Sequence, residues 1–180
     1  MSSKSKNYYM CCCAIFAALM CILGPISIFI GPVPVSLTNL IIYISIFILG
    51  TKGTLISYLI YFLLGLVGLP VFSGFQGGIA KVFGPTGGYL LGFIFIVLIS
   101  GISFSLSNNN TIITILGMII GTAIAYLFGT IWFVNYMKCD IIYALSVCVL
   151  PFIPFDLIKI IIAPFIGNAV RKPLIKQELI

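Results

Sequence analysis

Apolar residues run so continuously along this chain that the polar positions serve to divide it. No formal charge occurs in 7–51, 53–80 or 82–137. A helix crosses the hydrocarbon of a bilayer with about 20 apolar residues. The longest run therefore holds two spans, divided by the polar turn Ser107-Asn108-Asn109-Asn110. Reading every run this way predicts six transmembrane helices, at 8–30, 35–49, 54–69, 88–105, 111–131 and 154–170.

The breaks between spans have local causes. Gly24-Pro25 kinks or ends the first, because proline removes a helix hydrogen bond. An extended connection, GPVPVSLTN, follows, and Gly50-Thr51-Lys52-Gly53 forms a tight turn between the second and third spans. A glycine-rich loop, GLPVFSGFQGGIAKVFGPTGGY at 68–89, joins the third and fourth. The apolar stretch 141–150 is too short to cross and suits a re-entrant or interfacial segment before the last span. Pro154 is tolerated in a first helical turn. Starting the last helix there places Asp156 near its N-terminus, where a carboxylate suits the helix dipole.

Composition agrees with an all-α integral membrane protein. The chain is 62% hydrophobic and 7% charged, against roughly 25% charged residues in soluble domains. Its 180 residues allow a single domain, 1–180. The first apolar run is too long for a cleaved signal and lacks a small-residue cleavage site. Lys4, Lys6, Lys52, Arg171, Lys172 and Lys176 fall on one side of the six-span topology, and Lys81 and Lys138 lie in the loops opposite. Cytosolic loops carry the excess of lysine and arginine, so both termini are expected in the cytosol and the 68–89 loop on the outer face. The net charge of +6 thus sets orientation and is no nucleic-acid footprint. Cys11, Cys12, Cys13 and Cys21 lie in or beside the first run on the reducing side and read as small buried hydrophobes, not disulfide partners.

Asp156 and Lys159 stand out chemically. Three residues apart, they share one face of the last helix. A charge at mid-membrane costs about 2.5–3.5 kcal/mol on insertion scales and marks binding or ion pathways. Two readings stand side by side: a self-compensating pair that caps a short helix, or an acceptor and a donor presented to a polar ligand. A carboxylate accepts N–H groups and an ammonium donates to a carbonyl, so a cyclic urea would match the second. In the glycine-rich loop, glycines such as Gly77 let the backbone approach a ligand. Phe72, Phe75, Phe83 and Tyr89 could form aromatic walls there, and Gln76 and Lys81 polar contacts. An ordinary external loop is the plainer alternative. Ala14 and Ala18 form a small-x-x-x-small pair, suited to core packing or to docking a partner helix. Trp132 reads as an interface anchor. With no histidine and only Asp140, Asp156 and Glu178 as acids, nucleophile–histidine and paired-carboxylate catalysis are disfavoured, as is a zinc site. No Gly-Lys-Ser/Thr phosphate loop is present, so energy for active transport would come from another chain.

Several stretches together resemble the BioY family, the biotin-specific substrate-binding subunits of energy-coupling factor transporters. They are PVPVSL at 32–37, GLPVF at 68–72, GPTGGYLLGF at 84–93 and PFIPFDLIK at 151–159. The resemblance implies the S-component fold with a biotin pocket near the outer face, and a plasma-membrane location. It implies Asp156 and Lys159 as ligands of the ureido ring. It implies partners as well: a transmembrane coupling subunit, onto which Ala14 and Ala18 would dock, and two cytosolic ATPases. A glutamine that the family carries shortly after the PVP stretch stands here as Thr38, and no arginine follows GPTGGY. Lys81 is therefore the candidate partner of the biotin carboxylate, with an exposed outer lysine as the alternative. Biotin would be a ligand; no cofactor is implied. Rival readings are an S subunit for another vitamin or heterocycle, a small membrane-embedded enzyme, and a purely structural membrane partner.

Overall fold

The structure is a computed structural model that describes residues 3–29 and 33–177. Ile30, Gly31, Pro32 and Glu178, on which parts of the sequence reading fall, lie outside them. The described elements are α1 (Ser3–Leu23), β1 (Ser27–Phe29), β2 (Pro34–Ser36), α2 (Thr38–Val67), α3 (Ile79–Val82), α4 (Gly87–Leu106), α5 (Thr111–Met137), α6 (Ile141–Cys148) and α7 (Ile153–Lys176). Four helices, α2, α4, α5 and α7, are long and apolar enough to cross a membrane, and α1 carries a shorter apolar stretch, Asn7–Leu23. The six cysteines are free.

The all-α expectation needs one correction. α1 stops at Leu23, ahead of Gly24-Pro25, and the chain then forms an antiparallel two-stranded ribbon in which Ile28 faces Val35. Pro25 and Pro34 cannot supply the N–H groups of a helix interior, while a two-stranded ribbon tolerates proline because every strand in it is an edge. The helix expected from Val35 therefore begins at Thr38.

α2 is interrupted at Gly50, whose φ of 66° and ψ of −170° suit glycine alone. Thr38 Oγ1 lies 3.4 Å from the Tyr61 hydroxyl, 23 positions later. A straight helix would separate them by about 34 Å. The chain thus doubles back at Gly50, and the arms 38–49 and 51–67 lie side by side. The expected four-residue turn is in fact one residue, since Thr51, Lys52 and Gly53 are already helical.

The early part of α1 and the late part of α7 lie at the Gly50 end of the bundle. Tyr9 donates to the Leu49 carbonyl at 3.0 Å, and the Arg171 guanidinium sits 4.8 Å over the Phe104 ring. At the opposite end Asp140 caps α6 by accepting from the Ile142 N–H at 3.2 Å. Pro154 and Asp156 fall in the first turn of α7, as the sequence predicts. That helix continues through Pro164 and Pro173 to Lys176, beyond the expected stop near residue 170.

The main core runs along the bundle around Tyr43, Phe47, Tyr58, Tyr61 and Phe72. A second cluster, with Val33, Val35, Tyr89, Phe133, Cys148 and Phe152, lies under α6 and the ribbon. Between the two sits the polar site.

Candidate functional site

Asp156 and Lys159 project from one face of α7 and are each 7% exposed. Their ion pair measures 3.0 Å, at Asp156 Oδ1, and is the one salt bridge among the described residues. Buried charges persist only when their remaining valences are met. Lys159 Nζ donates to the Ser36 carbonyl at 2.8 Å, to Asn39 Oδ1 at 2.9 Å and to Asp156 Oδ1 at 3.0 Å, which uses all three ammonium protons. Asp156 Oδ1 also accepts from Asn39 Nδ2 at 2.8 Å, and Oδ2 accepts from the Tyr126 hydroxyl at 2.5 Å. Tyr43, a turn beyond Asn39, meets Thr122 Oγ1 at 2.6 Å and so ties α2 to α5 beside this network.

The elements explain why these groups meet. Packing of α7 along the 38–49 arm of α2 brings Asn39 against the pair. The ribbon carries Ser36 there, and α5 supplies Tyr126. Sequence reasoning singled out the α7 pair and passed over Asn39 and Tyr126. A signal existed for Asn39: it is an uncharged polar side chain just inside an apolar span, next to Thr38. Tyr126 gave none, since tyrosines are scattered along the chain.

The pair lines a cavity of about 50 Å³ with Asn39 and Tyr126, and with apolar walls from Val33, Tyr89, Phe93, Cys148 and Phe152. Tyr89, on α4, packs closely against α5 because Gly129 offers no side chain; a Cβ there would overlap the Tyr89 ring. The Tyr89 hydroxyl meets Thr130 at 3.2 Å. Thr38 lines a neighbouring cavity of about 40 Å³, which shares Val33, Pro34, Ser36, Tyr89 and Phe93 with the first. A third cavity, about 510 Å³, is lined by Gln76, Gly77, Lys81, Gly84, Pro85 and Thr86. Burial holds the Lys81 ammonium below the ordinary lysine pKa. Pro34 lines all three cavities and so stands between them.

The residues singled out in the sequence therefore divide. Asp156, Lys159 and Tyr89 share one cavity, Thr38 lies beside it, and Gln76, Gly77 and Lys81 lie across Pro34. Phe75 lines none of these cavities: it is 69% exposed, at a φ of 56°. Phe83 is exposed too, whereas Phe72 is buried edge-on against Tyr61. Trp132 anchors the GPTGGY turn by donating Nε1–H to the Gly84 carbonyl at 2.9 Å. Ala14 and Ala18 are exposed on α1, on the face away from Cys13, Ala17 and Met20. Among the described residues no cluster could hold a metal ion.

A sequence model described as the BioY family matches residues 1–176. The chain belongs to the BioY family. A biotin transporter BioY of Thermotoga maritima is 38% identical over 158 residues, covering 88% of this chain and 92% of its own. Biotin transporter BioY2 of Lactococcus lactis subsp. cremoris is 34% identical, covering 95% and 94%. Among solved structures, the crystal structure of the S-component for biotin from an ECF-type ABC transporter superposes with a TM-score of 0.87 at 30% identity, over 96% of this chain and 95% of that one. The BioY family places this chain among transporter subunits and not among enzymes, and the mostly helical bundle has the S-component architecture.

Proposed function

We propose that this chain captures biotin from outside the cell and delivers it to the cytosol as the S subunit of an energy-coupling factor importer. The single observation that carries the reading is the network at Asp156 and Lys159. A carboxylate and an ammonium, each buried and three residues apart, present an acceptor and a donor in one small cavity with apolar walls. The ureido ring offers N–H groups to Asp156 and a carbonyl to Lys159. The bicycle packs on Tyr89, Phe93 and Phe152.

At about 50 Å³ the cavity is far below the roughly 300–1,000 Å³ of pockets that enclose drug-sized ligands. Admission of biotin thus requires the wall formed by Pro34 to withdraw, joining this cavity to the larger one beyond. In that joined pocket Lys81 receives the valerate carboxylate, with Gln76 and Gly77 beside it, and Thr38 borders the ring end. Support for the carboxylate role is the half-buried ammonium in a cavity that shares Pro34 with the one holding the pair.

The two arms of α2 are read as separate crossings, which with α1, α4, α5 and α7 makes six and leaves α6 interfacial at the outer face. Both termini are cytosolic in this reading, and the protein is multi-pass in the plasma membrane. Partners are a transmembrane coupling subunit and two cytosolic ATPases. Ala14 and Ala18, exposed together on α1, are the docking face, because small residues let helices approach closely.

Isothermal titration of biotin into the purified protein, with Asp156→Asn and Lys159→Ala beside it, tests the reading. Hydrogen bonds to charged groups contribute about 1.5–3 kcal/mol, so each variant loses roughly 10- to 100-fold in affinity. Unchanged affinity in both would sink the site assignment. A titration panel of other vitamins separates biotin from a related heterocycle.

A further inference from the structure

Asn39 is the group in the polar network whose chemistry duplicates that of the proposed ligand. Lysine ammonium can only donate and carboxylate can only accept. The orientation of the Asn39 amide is therefore forced: its Oδ1 faces Lys159 at 2.9 Å and its Nδ2 faces Asp156 at 2.8 Å. With the Asp156–Lys159 contact at 3.0 Å, the three side chains close a ring of contacts. A carbonyl accepting from Lys159 and an N–H donating to Asp156 is the pattern that a ureido group would offer. Asn39 is 4% exposed, so these bonds are made away from water.

We infer that Asn39 is a specificity-determining residue that competes with the ligand's ureido group for Asp156 and Lys159, so that binding exchanges one amide for another. The inference rests on the proposed reading of the pair as the ureido site. Its physical basis is the cost of leaving a buried charge or polar group unpaired. A ligand offering both an N–H and a C=O replaces Asn39 with no loss of pairing at Asp156 and Lys159. One that offers only a donor, or only an acceptor, leaves Lys159 or Asp156 short of a bond. Sites that hydrogen-bond a ligand group reject analogues lacking it by roughly 10⁴–10⁵-fold. Asn39 thereby sets a threshold that heterocycles without the full amide pattern do not cross.

Removing the amide should leave the fold intact. In Asn39→Ala, Lys159 keeps Ser36 and Asp156 as partners, and Asp156 keeps Tyr126 and Lys159. Binding kinetics of biotin on the full-length protein in nanodiscs, wild type against Asn39→Ala, decide the matter. The expected result is an association rate raised about tenfold or more, with affinity equal or tighter. An affinity lowered tenfold or more, with association no faster, would make Asn39 an ordinary ligand contact and overturn the inference. Imidazolidin-2-one, the bare cyclic urea, gives an arm that does not depend on biotin. At millimolar concentration it should raise the melting temperature of Asn39→Ala and not of the wild type; equal shifts in both, or in neither, count against the exchange. Should Asn39→Ala fold poorly, Asn39→Leu keeps the volume without the amide and takes its place in both arms. In the wild type the Asn39 side-chain amide resonance, seen by ¹⁵N-asparagine labelling, must move when biotin binds; an unmoved resonance also overturns the exchange. If wild-type protein binds no biotin, the functional reading fails, whereas biotin binding weakened by Asn39→Ala fails this inference alone.

Discussion

Asn39 donates to Asp156 across 2.8 Å although 117 positions separate them in the chain. The contact exists because α7 packs along the 38–49 arm of α2, where Gly167 lies against Phe47. Asn39 also accepts from Lys159, so a single amide engages both charges of the site. The α7 pair is not a free-standing salt bridge capping a short helix. It is one side of a network that draws on the ribbon, α2 and α5.

Tyr126 holds Asp156 from the side opposite Asn39. Tyr126→Phe keeps the ring and removes one hydrogen bond to a charged group, worth about 1.5–3 kcal/mol. The melting temperature should fall by several degrees, and biotin affinity roughly tenfold or more, because the carboxylate that receives the ligand loses its second anchor. Titration calorimetry and thermal unfolding of the same preparation check both.

Gly129 gives Tyr89 its place against α5. Gly129→Ala should push the Tyr89 ring into the cavity, at a stability cost of about 1–3 kcal/mol for overpacking, and weaken biotin binding. Tyr89→Phe should be mild by comparison, because only the 3.2 Å contact to Thr130 is lost. Affinities that rank the other way would remove Tyr89 from its role as a wall.

Lys81 makes a prediction with pH. Burial lowers its pKa from the ordinary value of 10.5. The ammonium form, which would bind a carboxylate, exists below that lowered pKa and is lost as pH rises through it. Biotin affinity should therefore decline on the alkaline side sooner than an ordinary lysine would cause. In Lys81→Gln that alkaline decline should vanish and affinity at neutral pH should drop several-fold. A wild-type decline retained in the variant would assign it to another group.

Ala14 and Ala18 face away from the core, so larger side chains there disturb little inside the protein. Ala14→Trp and Ala18→Trp should bind biotin as the wild type does and fail to co-purify with the coupling subunit. Retained co-purification would move the docking face elsewhere on the bundle.

Much of this protein was legible in its sequence, for reasons that are local. Proline and glycine act on the residues around them, so Gly24-Pro25 ended α1, one of the two outcomes open to it and short of the expected residue 30, and Pro154 falls in the first turn of α7 as expected. Asn110 caps α5 through its own side chain at the expected polar turn. The α7 pair was visible because i and i+3 share a helix face. The ribbon was missed, since three-residue strands carry too little periodicity to announce themselves. Gln76 and Lys81 were grouped with Asp156 because the loop and the helix start lie at the same end of the bundle. Pro34 divides them, and nothing in the residues of the loop records what the ribbon does between.

The sequence by itself determined that the chain is a membrane bundle, where most of its helices begin to within a few residues, and that one face of the last helix carries a pair of opposite charges; the ends of α1, α5 and α7 at Leu23, Met137 and Lys176 lie six or seven residues from the expected ones. Hydrophobic run length, helix periodicity and proline chemistry act over a few residues, so they can be read in order. Only the tertiary structure decided that Asn39, Ser36 and Tyr126 complete that pair, and that Thr38 and Phe75 do not. A hydrogen bond depends on distance in space, and the packing of α7 against the 38–49 arm makes neighbours of groups more than a hundred positions apart.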